Sequence, residues 1–149
     1  MWRLTLVPSL LLSLLVSPSS AQDQNWMADA RTGCRLWNID HDLTSVQWSG
    51  PCANSLAHGY GISRWYANGV LDETNEGDYR FGKRNGRVTI RWADGKTFEG
   101  MWQNDLPNGA GTMRTREGEI FSGNWTNGCF QQGDRRYAVG ATLKECGFE

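Results

Sequence analysis

From Val46 onward the chain alternates bulky apolar residues with polar ones at every second position, in short runs broken by Asn-Gly, Asp-Gly or Glu-Gly. Side chains two apart on a strand share a face, so this alternation predicts half-buried β-strands. Phe98, Gly100 and Trp102 fall on one face of one run, and Phe121, Gly123 and Trp125 on one face of another. A second kind of run follows the first, starting at Gly59, Gly86 or Gly109; in one copy it alternates Gly86, Val88, Ile90 and Trp92 against Arg87, Thr89 and Arg91. It closes at Ala67-Asn68-Gly69, Ala93-Asp94-Gly95 or Arg116-Glu117-Gly118. Asn-Gly and Asp-Gly accept positive φ at the centre of a tight turn, which makes these positions hairpin connections. The predicted fold is all-β, with consecutive hairpins joined into an elongated, twisted antiparallel meander.

The pattern repeats. The glycine between two bulky positions recurs as Gly50, Gly77, Gly100 and Gly123, at offsets of 27, 23 and 23 residues. Such an array consists of units that bury their apolar face only against neighbours. Four units follow: residues 46–74, 75–97, 98–120 and 121–141. Their core positions are Trp48, Gly50, Gly77, Tyr79, Phe98, Gly100, Trp102, Phe121, Gly123 and Trp125. A glycine between rings leaves space for a ring to lie flat over the backbone. Asn75 stands where the second unit should have its first aromatic residue, and in the fourth unit Gln132 replaces a glycine, with Gly133 one residue late. The fourth unit therefore reads as a degenerate closing cap.

The unit resembles the MORN (membrane occupation and recognition nexus) repeat, written Tyr-x-Gly-x-Trp, a short Asn/Gly/Lys loop, then Gly-x-Gly and a strand ending in Asn-Gly or Asp-Gly. The residues that carry the resemblance are Phe98-Glu99-Gly100-Met101-Trp102 with Asn108-Gly109-Ala110-Gly111, and Phe121-Ser122-Gly123-Asn124-Trp125 with Asn127-Gly128. Gly82-Lys83-Arg84-Asn85-Gly86 and His58-Gly59-Tyr60-Gly61 match as well. The segment Trp48-Ser49-Gly50-Pro51-Cys52, with Gly33-Cys34-Arg35-Leu36-Trp37-Asn38 upstream, is similar to exported bacterial MORN proteins. The resemblance implies a binding repeat, and such repeats have been proposed to bind lipids.

The flanks change the picture in one respect, compartment. Arg3, an apolar run over residues 4–16 and Ser19-Ser20-Ala21 read as a signal peptide over residues 1–21, so the chain is expected to be exported, periplasmic or secreted. No later segment is apolar enough for a transmembrane helix. Residues 22–33 are polar and aperiodic and read as a flexible lead-in. Residues 34–45 are expected to cover the outer edge of the first unit, and 142–149 to cap the last. Losing Arg3 with the leader takes the formal charge from −1 to −2, too small a field for a nucleic-acid partner.

Four cysteines in an exported chain favour disulfides. Three connectivities are open; Cys34 with Cys52 and Cys129 with Cys146 would put one staple at each end of the array. Zinc on Cys34, His41, Cys52 and His58 is the competing chemistry, but this spacing fits no usual structural zinc pattern. His41 and His58 are the only imidazoles, one in a polar turn and one at a repeat loop position. Without a nucleophile, base and orienting group in any recognisable arrangement, no catalytic residue and no cofactor is expected. Gly109-Ala110-Gly111 opens a strand, so no helix N-terminus is available for a nucleotide phosphate.

Binding is what remains. Arg87, Arg91, Arg114 and Arg116 could form a basic strip for phospholipid head groups or an acidic polymer, or could be neutralised by Glu76, Asp78 and Glu99. A single sheet has no second layer to cover its rings, and leftover aromatic surface would take a protein partner, a second copy or a stacked sugar. Asn124-Trp125-Thr126 matches a glycosylation triplet, but Trp125 is a core position. The reading is a non-catalytic scaffold for protein interaction or self-association, with carbohydrate or phospholipid binding as the alternative.

Overall fold

The computed structural model describes residues 25–148; the expected signal peptide lies outside them. Six long strands make the meander: β6 (Gly59–Ala67), β7 (Val70–Arg80), β8 (Lys83–Trp92), β9 (Thr97–Gln103), β10 (Leu106–Arg114) and β11 (Ile120–Trp125). With β3 (Ser45–Trp48) beside β6, they form one antiparallel sheet in the order β11-β10-β9-β8-β7-β6-β3. The all-β hairpin architecture is the one the alternation predicts.

Register explains why the rings and glycines recur together. Gly61, Gly77, Val88, Gly100, Gly111 and Gly123 lie in one row across six strands, and Ser63, Asn75, Ile90, Phe98, Met113 and Phe121 in the next. Phe98 lies over the vacant position at Gly111, where a Cβ would sit 2.6 Å from the Phe98 ring and 3.1 Å from Trp125. The rings then meet edge to face, Phe98 with Trp102 at 5.4 Å and with Trp125 at 5.1 Å between centroids. That geometry suits their quadrupoles.

The second strands start earlier than expected, at Lys83 and Leu106 rather than at Gly86 and Gly109. Those two glycines are interior irregularities with φ of +116° and +113°, close to points where the pairing register shifts. Gln132 stands where the next glycine would be, and a residue with a Cβ resists that conformation. In the fourth unit β12 (Cys129–Gln132) accordingly leaves the sheet and pairs with β13 (Arg135–Ala138). This hairpin folds over the inner face, where Phe130 packs on Phe121 and Trp125.

The opposite end is covered by a small sheet of β1 (Trp26–Ala28), β2 (Arg35–Trp37), β4 (Cys52–Ala53) and β5 (Leu56–Ala57), in the order β1-β2-β5-β4. The segment read as a flexible lead-in therefore carries a strand: Trp26 pairs with Trp37, and Asp29 is buried. Asp29 also covers the sheet edge, a task expected of residues 34–45; its Oδ2 accepts the Trp48 N–H at 2.8 Å. Disulfides Cys34–Cys52 and Cys129–Cys146 fasten the two caps, with Cα separations of 5.9 and 5.6 Å. Each cap encloses its own apolar cluster, one around Leu36, Trp48 and Trp65 and the other around Phe98, Trp125 and Phe130.

Candidate functional site

Between the two caps the inner face is left partly open, and a cleft of about 870 Å³ lies there, bounded by residues 37–43 on one side and 139–145 on the other. Beneath it the sheet departs from the apolar rows on either side. Ser63 and Asn75 occupy the row that elsewhere holds Ile90, Phe98, Met113 and Phe121, and Glu73 lies across from Trp65 and Trp92. The Trp65 Nε1–H donates to Ser63 Oγ at 2.9 Å, and Asn75 Nδ2 donates to Ser63 Oγ at 3.1 Å and to Glu73 Oε1 at 2.9 Å. Ser63 Oγ and the Tyr79 hydroxyl share a bond of 2.9 Å.

Beside this network Arg84 donates through Nε and Nη2 to the two carboxylate oxygens of Asp105 at 2.8 and 2.7 Å, a bidentate pair held over the Trp102 ring at 4.2 Å. Asp105 can take this position because it sits at φ +72° in the Asn104-Asp105 turn. Burial opposes the Arg84 charge, but the adjoining Asp105 carboxylate outweighs it and raises the guanidinium above its ordinary pKa. Burial pushes the Glu73 carboxyl up, with Arg84 pulling the other way. Burial likewise raises the Tyr79 phenol.

The rings expected to offer a platform do not. Trp48, Trp65, Tyr79, Phe98, Trp102, Phe121 and Trp125 are all buried, because the terminal segments fold back to supply the second layer that a bare sheet lacks. Trp37 and Trp92 remain half-exposed at the cleft, with Lys83 above Trp37 at 4.2 Å and Lys96 near Trp92 at 5.5 Å.

On the outer face the arginines are largely answered by acids. Arg87 contacts Glu99 at 2.6 Å and Arg91 lies 3.7 Å from Glu76. Arg114 stands on β10 across from Thr97, whereas Arg116 lies beyond the strand in the turn, 3.3 Å from Glu117. A strip of four free cations is therefore not formed; a shallow groove lined by Arg87, Thr89, Arg91, Thr112 and Arg114 is what the register brings together. His58 Nδ1 accepts the Phe81 N–H at 3.4 Å, and His41 lies on the cleft rim. Among the described residues neither imidazole hydrogen-bonds a carboxylate, and no group of three or more His, Cys, Asp or Glu could hold a metal.

Sequence reasoning missed the cleft. Asn75 was the visible signal, a polar residue at an aromatic position, but the cap segments that wall the space carry no repeat pattern from which their placement could be read.

The third feature is an edge. The Thr115 N–H bonds to the Glu119 carbonyl at 2.9 Å, which sets the phase of the β10–β11 ladder and turns the N–H and C=O groups of Ile120, Ser122 and Asn124 away from β10. Arg135 donates to the Ile120 carbonyl at 2.8 Å. Ser122, Gly123 and Asn124 are exposed, unlike the buried Gly77 and Gly100 of inner strands.

A meander of ring-and-glycine hairpins closed by terminal caps defines a β-repeat protein. The family model for the MORN repeat matches residues 76–97 and 98–119, the stretches that hold the end of β7 and all of β8, β9 and β10. MORN repeats are interaction modules for proteins and membranes rather than catalytic units. No curated protein matches the chain.

Proposed function

We propose that the chain is an exported, non-catalytic scaffold that associates with a second copy of itself through the β11 edge. The observation that carries this is the uncharged, lysine- and proline-free strand Ile120-Phe121-Ser122-Gly123-Asn124-Trp125, with outward backbone groups at Ser122 and Asn124. Natural sheets blunt an open edge with charge, proline or a cover; here Arg135 covers the Ile120 carbonyl alone, and strand addition is the recognition mode that the rest of the edge, at Ser122 and Asn124, would serve. The far edge of the same sheet is covered at Trp48 by Asp29, so pairing at β11 would stop at a closed dimer. All four cysteines are paired, which suits an oxidising compartment outside the cytosol.

Light scattering on the oxidised protein tests the reading. The wild type should run as a dimer, and Ser122→Pro, which removes an outward N–H without touching the β10 ladder, should run as a folded monomer. A wild type that stays monomeric up to about millimolar concentration, where the weakest specific interfaces form, would remove the edge from consideration.

A further inference from the structure

The hydrogen bonds at and beneath the cleft do not close: Asn75 Oδ1, an acceptor that does not line the cleft, and the Trp102 Nε1–H, on a ring that does, are both buried without a partner among the described residues. A serine hydroxyl has one proton and two acceptor lone pairs. Ser63 Oγ already accepts from Trp65 and from Asn75, so its own proton must go to the Tyr79 oxygen. The Tyr79 O–H proton is then left without an acceptor among the described residues, on a side chain only 4% exposed that lines the cleft. Trp102 repeats the situation independently. Its Nε1–H is buried without a partner, and the ring also lines the cleft. The other buried indoles are satisfied: Trp48 on the Pro51 carbonyl at 2.8 Å, Trp65 on Ser63 at 2.9 Å, and Trp125 on the Gly111 carbonyl at 3.1 Å. Leaving a buried donor unmade is costly, so these two protons mark places where acceptor atoms belong.

The third group is Glu73, whose Oε1 accepts from Asn75 and whose carboxyl also lines the cleft. Together these select a ligand class. A cation would be attracted by Glu73 but would face two donor protons. An anion would satisfy the donors but meet Glu73, with Arg84 already committed to Asp105. A polyhydroxylated neutral molecule does both, because each hydroxyl can accept from Tyr79 or Trp102 and donate to Glu73. Trp37 and Trp92 at the opening offer partly exposed rings for its C–H faces. Tyr79 is on β7 and Trp102 on β9, two strand spacings or about 10 Å apart at the backbone, with both side chains lining the same cleft. We infer that the cleft between the end caps is a binding site for a neutral saccharide, held by Tyr79, Trp102 and Glu73.

This site shares no residue with the β11 edge, so its test is separate. The full oxidised chain is applied to a glycan array carrying neutral, sulfated and sialylated structures, and the strongest neutral ligand is then titrated by calorimetry. Neutral glycans should bind, and Tyr79→Phe and Trp102→Phe should each weaken the dissociation constant about tenfold, the loss of one hydrogen bond. If either variant fails to fold, the indole N–H resonance of Trp102 in the ¹⁵N spectrum of the wild type replaces it, and that resonance should shift on adding the sugar. No neutral glycan bound, binding of charged glycans only, wild-type affinity in either folded variant, or an unmoved Trp102 indole would each overturn the assignment.

Discussion

Asp29 secures the first edge of the sheet with a single carboxylate. One oxygen takes the Trp48 N–H, and Arg31 reaches both oxygens, at 3.2 Å through Nε and 2.8 Å through Nη2. The hydrogen bond from Arg31, working against burial and helped by the backbone N–H of Trp48, lowers the Asp29 pKa from 3.8 to about 2. A carboxyl depressed on folding contributes stability that is complete above its unfolded value and is lost as pH falls through its folded value. The thermal midpoint of the wild type should therefore fall between pH 3.8 and about 2 by more than that of Asp29→Ala, measured over the same series. At neutral pH the variant should be less stable by about 1–3 kcal/mol, the cost of leaving the buried Trp48 N–H unmade. Little of that loss belongs to the charge of Arg31, whose side chain is 61% exposed and screened by solvent. Glu73 works in the opposite sense: burial raises its pKa, so its contribution is greatest when protonated and declines as pH rises through the folded value.

At the scale of the strand, stability rests on ring volume fitting glycine vacancies in the next strand. Gly111→Ala would drive a methyl into Phe98 and Trp125, neither of which has free space. Overpacking of this kind costs about 1–3 kcal/mol, to be read from urea midpoints at unchanged slope; a shift below about 0.5 kcal/mol would mean that the rings do not rest on the glycine row. Gly118→Ala, at a turn with no atom near its Cβ, makes the comparison for backbone strain alone, since its φ is +89°. This level was the most legible in the sequence. Phe98, Gly100 and Trp102 announce their shared face by spacing alone, and Asn68-Gly69 announces its turn. What could not be read was the behaviour of Gly86 and Gly109, where a glycine marks an interior irregularity rather than a strand start, because the same residue serves both purposes. Nor could the short β1 be read: three residues carry too little alternation to stand out from a polar segment, and its place depends on contacts with β2.

For the whole molecule the important division is between a regular sheet and two irregular caps that turn it into a closed body. The caps supply the second layer, wall the cleft and bury the rings, and each is tied by one disulfide. Removing the C-terminal tie with Cys129→Ser and Cys146→Ser frees a loop spanning 17 residues, worth about 3 kcal/mol in the chain-entropy account. The double variant should lose roughly that much by denaturant titration while its far-ultraviolet spectrum stays that of a β-protein, since the meander carries no part of the loop. If Phe130 stops covering Trp125, indole fluorescence should also move to longer wavelength. The sequence announced the repeat and left the caps blank for one physical reason. Repeats are written by local periodicity, whereas caps are defined by which distant surface they happen to cover.

Fastening both lids with sulfur bonds also gives assembly a direction in time. Hairpins can zip from nearest neighbours as soon as the chain emerges, and the lids can settle on their apolar contacts, but until an oxidant joins the sulfurs they lift more readily and wet the tryptophans beneath. Wherever thiols are kept reduced, this chain would hold the same shape with less in reserve, and its rings would meet water more often.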